Sequence, residues 1–163
     1  MMRRILFLFC CLQSTSYANV AIEQLNAKLA EKNRVNQSAP VASPLIKELS
    51  EHYYFVFIYR GACPHCHAFA PILMDFAKTF HVDVDAYHLD GDTMDALSSH
   101  PLTPELFQTF YTKGGYKPIV PALFLVNRDT LEAYAVLFGE AKPYELAKRV
   151  NELMQHIQGR FND

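Results

Sequence analysis

The chain has 163 residues, half of them apolar, with 15 lysines and arginines against 17 aspartates and glutamates, a formal net charge of −2 and no tryptophan. That length can build a single hydrophobic core, and the near-neutral balance excludes any electrostatic bias toward nucleic acid. Four cysteines are too few for a disulfide-built secreted scaffold.

Arg3 and Arg4, the apolar run Ile5 to Leu12, and Ser16-Tyr17-Ala18 with small residues at its ends have the layout of an export signal, with cleavage expected after Ala18. Residues 1–18 would then leave with Cys10 and Cys11, and the mature protein would hold only Cys63 and Cys66. The bulky Phe9 ahead of Cys10 argues against lipid attachment. No later stretch approaches the roughly 20 apolar residues of a membrane span, so no membrane anchor is expected. The expected location is the periplasm.

Residues 19–44 divide into an amphipathic helix, Asn19 to Val35, and a linker-like stretch, NQSAPVASP, at Asn36 to Pro44. The helix places Val20, Ile22, Leu25 and Leu29 on one side. It either packs on the domain or stands away to bind a partner or a second copy.

Residues 45–158 are the expected domain. Pro44 to His52 reads as a short helix, and Tyr53 to Tyr59, YYFVFIY, as a strand buried on both faces. Arg60-Gly61-Ala62 then leads into Cys63-Pro64-His65-Cys66 and a helix running to about Phe80. A cysteine at a helix N-terminus has its thiolate stabilised by unpaired backbone N–H groups and the helix dipole. Pro64 suits the first helical turn because no N–H is needed there. A disulfide closing so short a loop restricts the unfolded chain little, so chemistry explains this pair better than stability does.

Val82 to Leu89 alternates as a second strand, ending at the Asp90-Gly91-Asp92 turn. Right-handed crossover makes it a parallel neighbour of the first. Asp83, Asp85, Asp90, Asp92 and Asp95 lack the ligand spacing and closing glutamate of an EF-hand, so a solvated strand edge is the reading. Thr93 to Thr112 carries two short helical patterns separated by Pro101 and Pro104. The loop Gly114 to Pro118 precedes Val120-Pro121, and Ala122 to Val126, the turn Asn127 to Thr130 and Leu131 to Phe138 form a β-hairpin signal. Pro121 at a strand start marks either an edge or a cis bond. Lys142 to Ile157 is a closing amphipathic helix with Leu146, Val150, Leu153 and Ile157 inward, and residues 159–163 are expected to fray.

The apolar strand, the CxxC opening a helix, Pro71 five residues past Cys66 and Val120-Pro121 before a later strand together resemble the thioredoxin superfamily of thiol-disulfide oxidoreductases over roughly Tyr53 to Ile157. The resemblance implies an α/β fold with a central mixed sheet flanked by helices and a helical insertion before the cis-proline loop. Cys-Pro-His-Cys is the motif of DsbA-type oxidases, and a histidine directly after the second cysteine, here His67, is a feature of DsbC-type isomerases. As a small version with an export signal, the chain is most similar to the TrbB-type thiol-disulfide isomerases of F-type conjugative pilin assembly.

By that resemblance Cys63 is the nucleophile, Cys66 the resolving thiol, His65 and Pro64 tune the Cys63 thiolate, and Pro121 is a cis-proline facing the cysteines. The backbone of Val120 would pair with an extended client segment. Environment shifts such redox couples from about −270 to about −120 mV, and Pro-His points to the oxidising end. The expected partners are cysteine-containing exported proteins, conjugation pilus-assembly components among them, and a membrane or soluble redox partner; no cofactor or metal is implied. One departure stands out. Thioredoxins and DsbA carry an acid six residues before the first cysteine, where this chain has Phe57, so the proton of Cys66 must leave through water or a group such as His67.

Two other classes compete. Cys63-Pro64-His65-Cys66-His67 is also the CxxCH pattern of c-type haem attachment, with His67 as axial ligand. A redox-inactive binding module on the same scaffold would suit Phe57 and the helical leader. A zinc site is poorer, because there is no second cysteine pair.

Overall fold

The structure, a computed structural model, describes residues 44–161 with the exception of Ala96. The expected export signal, the amphipathic helix at Asn19 to Val35 and all but the end of the linker lie outside the described residues. The described chain runs α1 (Pro44–His52), β1 (Tyr53–Tyr59), α2 (Pro64–Phe80), β2 (Val84–His88), β3 (Ser99–Pro101), α3 (Pro104–Phe107), a π-helical turn (Gln108–Thr112), β4 (Ala122–Asn127), β5 (Ala133–Phe138) and α4 (Pro143–Phe161).

The strands form one sheet of five in the order β3-β2-β1-β4-β5. β2 runs parallel to β1, with Phe55 opposite Val84 and Tyr59 opposite His88. β4 runs antiparallel on the other side of β1, with Tyr53 opposite Asn127 and Ile58 opposite Ala122. The α2 crossover between β1 and β2 is what makes them parallel, since two parallel strands cannot be joined by a tight turn. β1 is therefore central and buried along nearly all its length, which is why it reads as a continuous apolar run.

Strand alternation sorts the core into two faces. Phe55, Phe57 and Tyr59 join Leu123 and Leu125 under the three longer helices, where Leu49, Phe69, Leu73, Leu146 and Val150 cover them. Val56, Ile58, Phe124 and Val126 point the other way, onto Phe110 and Tyr111 of the 104–112 segment. A slip in the β4–β5 register between Leu123 and Phe124 sends both Val136 and Leu137 to the three-helix face, as a bulge does when one extra residue enters a strand.

The structure corrects the reading of residues 93–112. The first of the two expected helical patterns is not helical; Ser99–Pro101 is instead a short strand pairing parallel with β2. Pro101 disfavours helix at the residue before it, and at the sheet edge it has no ladder hydrogen bond to lose. Leu102 N–H then closes onto the His88 carbonyl at 2.9 Å. The second strand is also shorter than Val82 to Leu89. The closing helix runs through Gly159 to Phe161, farther than the expected fraying point.

Phe57 has no solvent exposure; its ring stacks on Tyr59 at 5.4 Å and lies 6.0 Å from Phe69 of α2. Phe57→Ala is expected to destabilise the reduced protein by about 3–5 kcal/mol, measured by urea denaturation.

Candidate active site

β1 ends at Tyr59 and the chain turns through Arg60-Gly61-Ala62 to Cys63, which caps α2 with extended backbone angles, φ −88° and ψ 112°. Pro64 occupies the first helical turn. The Cys63 Sγ accepts a hydrogen bond from the Cys66 N–H at 3.4 Å, and the Cys63 carbonyl accepts from the amides of Cys66 and His67 at 3.1 and 3.2 Å. This is N-cap geometry with sulfur in the role usually taken by oxygen. An anion at Cys63 Sγ meets an aligned N–H and the positive end of the helix dipole.

The two sulfurs sit in different surroundings. Both are free thiols, Cys63 half-buried and Cys66 buried, the latter with no exposure at all. Burial pushes the Cys66 thiol up to about 12, reinforced by its hydrogen bond to Cys63 and by the negative charges that Cys63 and Asp90 carry when ionised, against a lowering contact with the Arg60 backbone. Helix periodicity explains the asymmetry: three residues carry the chain from the capping position at the helix mouth to the face that packs on the sheet.

Sequence reasoning missed Asp90. Its Oδ1 accepts from Gly61 N–H at 3.1 Å and its Oδ2 from Ala62 N–H at 3.5 Å, so the carboxylate holds the turn that delivers Cys63. A small desolvation acts to raise its pKa, but the amides of Gly61, Ala62 and Asp92 together hold the carboxyl below its ordinary value. Of the five aspartates read as a solvated edge, Asp90 thus belongs to the site, while Asp83 pairs with Arg128. The signal lay in the parallel register: Tyr59 stands opposite His88, so two residues further on Gly61 meets Asp90. Gly61 is also sterically required, since a Cβ there would lie 2.7 Å from the Asp92 carbonyl oxygen.

His67 is engaged elsewhere than at Cys66. Its Nε2 lies 2.6 Å from the Gly61 carbonyl; because that oxygen can only accept, the ring carries its proton on Nε2. His65 Nδ1 stands 3.2 Å from Glu140 Oε2, both side chains largely exposed, and Glu140 is a second neighbour of the motif that the sequence reading did not include. The CxxCH reading meets a Cys66 with no exposed surface and a His67 ring bound to backbone. Among the described residues no cluster of three or more His, Cys, Asp or Glu side chains is arranged to hold a metal ion. No described helix is long and apolar enough to cross a membrane.

The Val120–Pro121 peptide bond is cis. Because Ala122 pairs with Ile58, Pro121 comes level with Tyr59, at the end of β1 from which Cys63 departs. Cys63 and Val120 both pack against the core cluster that contains Cys66, and the Pro121 carbonyl accepts from Gly139 N–H at 2.7 Å. The fold thus brings Cys63, Pro64, His65, Cys66, Val120 and Pro121 to one end of the sheet.

Iodoacetamide at pH 7 is expected to alkylate Cys63 and spare Cys66, as read by mass spectrometry. The raised Cys66 pKa also has a linkage consequence with a definite sign: the stability it contributes is complete below the unfolded thiol's pKa of about 9 and is lost as pH rises toward about 12. The reduced wild type should therefore lose more stability across that window than Cys66→Ser. Asp90 acts in the opposite sense. Its lowered pKa contributes stability above the ordinary carboxylate value of about 4 that is lost as pH falls through the folded value, so Asp90→Ala should unfold at lower urea than wild type at pH 7, with the gap narrowing as the pH falls below the ordinary carboxylate range.

The family described as TraF, F plasmid transfer operon protein, matches residues 18–151. Protein TrbB of Escherichia coli (strain K12) is 34% identical over 106 residues, a stretch covering 64% of this chain and 58% of TrbB, so the chain spans less than two thirds of that relative. A solved structure of a thiol:disulfide interchange protein, a thioredoxin family protein from Chlorobium tepidum TLS, matches with a TM-score of 0.51 at 16% identity, covering 66% of this chain and 83% of the other. At that identity the likeness speaks for the fold, which agrees with the mixed five-stranded sheet and its flanking helices. Sheet order, the CxxC-capped helix and the extent of the family match lead to one conclusion: this is a thioredoxin-fold, TrbB-like chain that belongs to the F plasmid transfer operon protein TraF family.

Proposed function

We propose that the protein is a periplasmic thiol-disulfide oxidoreductase acting chiefly as an isomerase on cysteine-containing client proteins, in conjugative transfer and pilus assembly. The observation that carries this reading is the unequal pair: a half-buried Cys63 sulfur at a helix N-terminus beside a Cys66 sulfur with no exposure. The site of action and the clients rest on the family and on the export-like N-terminal sequence.

The chemistry follows from that inequality. The Cys63 thiolate attacks one sulfur of a client disulfide; a Cys63–client bond forms, the client disulfide breaks, and the second client sulfur leaves as a thiolate. Two exits follow. In isomerisation another client thiolate attacks the mixed disulfide, forms a new client disulfide and expels Cys63 as thiolate. In reduction Cys66 loses its proton, attacks Cys63, releases the client thiolate and leaves a Cys63–Cys66 disulfide. The second exit is slow here, because the Cys66 thiol is held near 12, Phe57 replaces the acid at the strand position behind it, and His67 is bound to Gly61. A long-lived mixed disulfide gives the client time to rearrange, which supports isomerase over reductase action.

The test uses a model protein with scrambled disulfides. Cys63→Ser should lose at least a hundredfold in both refolding and net reduction. Cys66→Ser should keep most of the refolding activity, lose net reduction, and accumulate a mixed disulfide visible on a non-reducing gel. Equal loss of both activities in Cys66→Ser would overturn the isomerase reading, as would a pair found mostly oxidised in the cell.

A further inference from the structure

The helical segment on the face opposite α1, α2 and α4 ends in a single π-helical turn, Gln108–Thr112; such turns hold an inserted residue and recur at functional sites. Here the turn directs Tyr111 inward. The side chain is only 1% exposed, and its ring lies against Phe107 at 5.1 Å and edge-on to Phe124 at 6.0 Å. Burial holds its phenol well above the ordinary range; the Cys66 sulfur beyond it adds to the rise and the Arg60 guanidinium opposes it. The hydroxyl is therefore a neutral donor at any working pH.

Tyr111 pins the loop that leads to the cis peptide at both ends. Its carbonyl accepts from Tyr116 N–H at 2.8 Å, and its hydroxyl donates to the Ile119 carbonyl at 3.1 Å. The Ile119 amide is used as well, donating to the Lys117 carbonyl at 2.8 Å. Both backbone groups of Ile119 are thus occupied, whereas no backbone hydrogen bond among the described residues engages Val120. Pro121 has no N–H, and its carbonyl is bonded to Gly139. From Ile119 to Pro121, the amide and carbonyl of Val120 are the only backbone groups left for an incoming strand.

We propose that Tyr111 is a positioning residue for an extended client segment: by holding the Ile119 carbonyl on its own side, it turns the Val120 N–H of the same trans peptide to the opposite side, where a client strand can pair with Val120. This rests on the thiol-disulfide reading above. In a trans peptide the C=O and the N–H point to opposite sides, so a freed Ile119 carbonyl lets the Ile119–Val120 peptide plane turn and carries the Val120 N–H off the client; because side chains alternate along a strand, a client that then pairs one residue off turns its cysteine away from Cys63. The π turn, the buried ring and the loop glycines are then parts of one arrangement that holds a single hydrogen bond.

The experiment compares the full chain with Tyr111→Phe, which retains the ring. The substrates are a disulfide-bearing peptide of about ten residues and bis(2-hydroxyethyl) disulfide, which has no amide to pair with Val120. Expected for Tyr111→Phe is a fivefold to tenfold rise in KM for the peptide, the effect of about one lost hydrogen bond, with kcat within twofold and the hydroxyethyl disulfide rate unchanged. An unchanged peptide KM overturns the inference, and so does a fall in the hydroxyethyl disulfide rate that matches the fall for the peptide, since that would report general disturbance of the sulfurs. A second measurement needs only the wild type: stepwise N-methylation along the peptide should raise KM about tenfold at one position alone, and equal losses at neighbouring positions would overturn a fixed register. A wild type that exchanges with neither substrate defeats the underlying thiol-disulfide reading instead, a result distinct from failure at Tyr111.

Discussion

Everything at the site depends on the placement of β1 between a parallel and an antiparallel neighbour. The parallel pairing to β2 carries the chain after His88 to the same end of the sheet as the chain after Tyr59, and there Asp90 meets the amides of Gly61 and Ala62. The antiparallel pairing to β4 brings the start of β4, with its cis Val120–Pro121 bond, to that end as well. Three segments far apart in sequence therefore converge because one strand is hydrogen-bonded on both edges. Burial on both faces holds that strand in register, since a slip of one residue would exchange the side chains of its two core faces.

Within that frame, electrostatics separates two chemically identical thiols. Cys63 lies where a helix begins, with its sulfur accepting an amide hydrogen bond; Cys66 lies where the same helix turns inward, and burial keeps it protonated far above neutral pH. His65 faces Glu140, and the Asp90 carboxylate is spent on backbone amides of the turn. A carboxylate so close to the pair works against thiolate formation at Cys66, so it adds to the inequality between the two sulfurs.

The second face of the sheet has its own task. The 104–112 segment covers Val56, Ile58 and Phe124, and through Tyr111 it reaches both the loop before the cis peptide and the neighbourhood of Cys66. What reads in the sequence as extra length between two core strands is, in three dimensions, the support for the backbone that lies beside the sulfurs. Exposed Tyr116 and Ile119 mark where that support comes to the surface.

Much of this architecture was legible in the residues because it is written locally. A seven-residue run of aromatic and β-branched residues, a proline behind a cysteine, and a helical apolar spacing to Phe80 each follow from short-range sterics and periodicity, and they match β1 and α2. The hairpin strands and the closing helix follow in the same way, and the cis bond at Pro121 came through family resemblance. The roles of Asp90, Glu140 and Tyr111 did not show, and Ser99–Pro101 was read as helix rather than strand, because each depends on a partner brought near by sheet register: Gly61, 29 positions from Asp90, His65 for Glu140, the Ile119 carbonyl for Tyr111, and β2 for the edge strand. Local chain stiffness determines which segments become strands and helices; which polar group finds which partner is decided only once hydrogen bonding across β1 has closed those long loops.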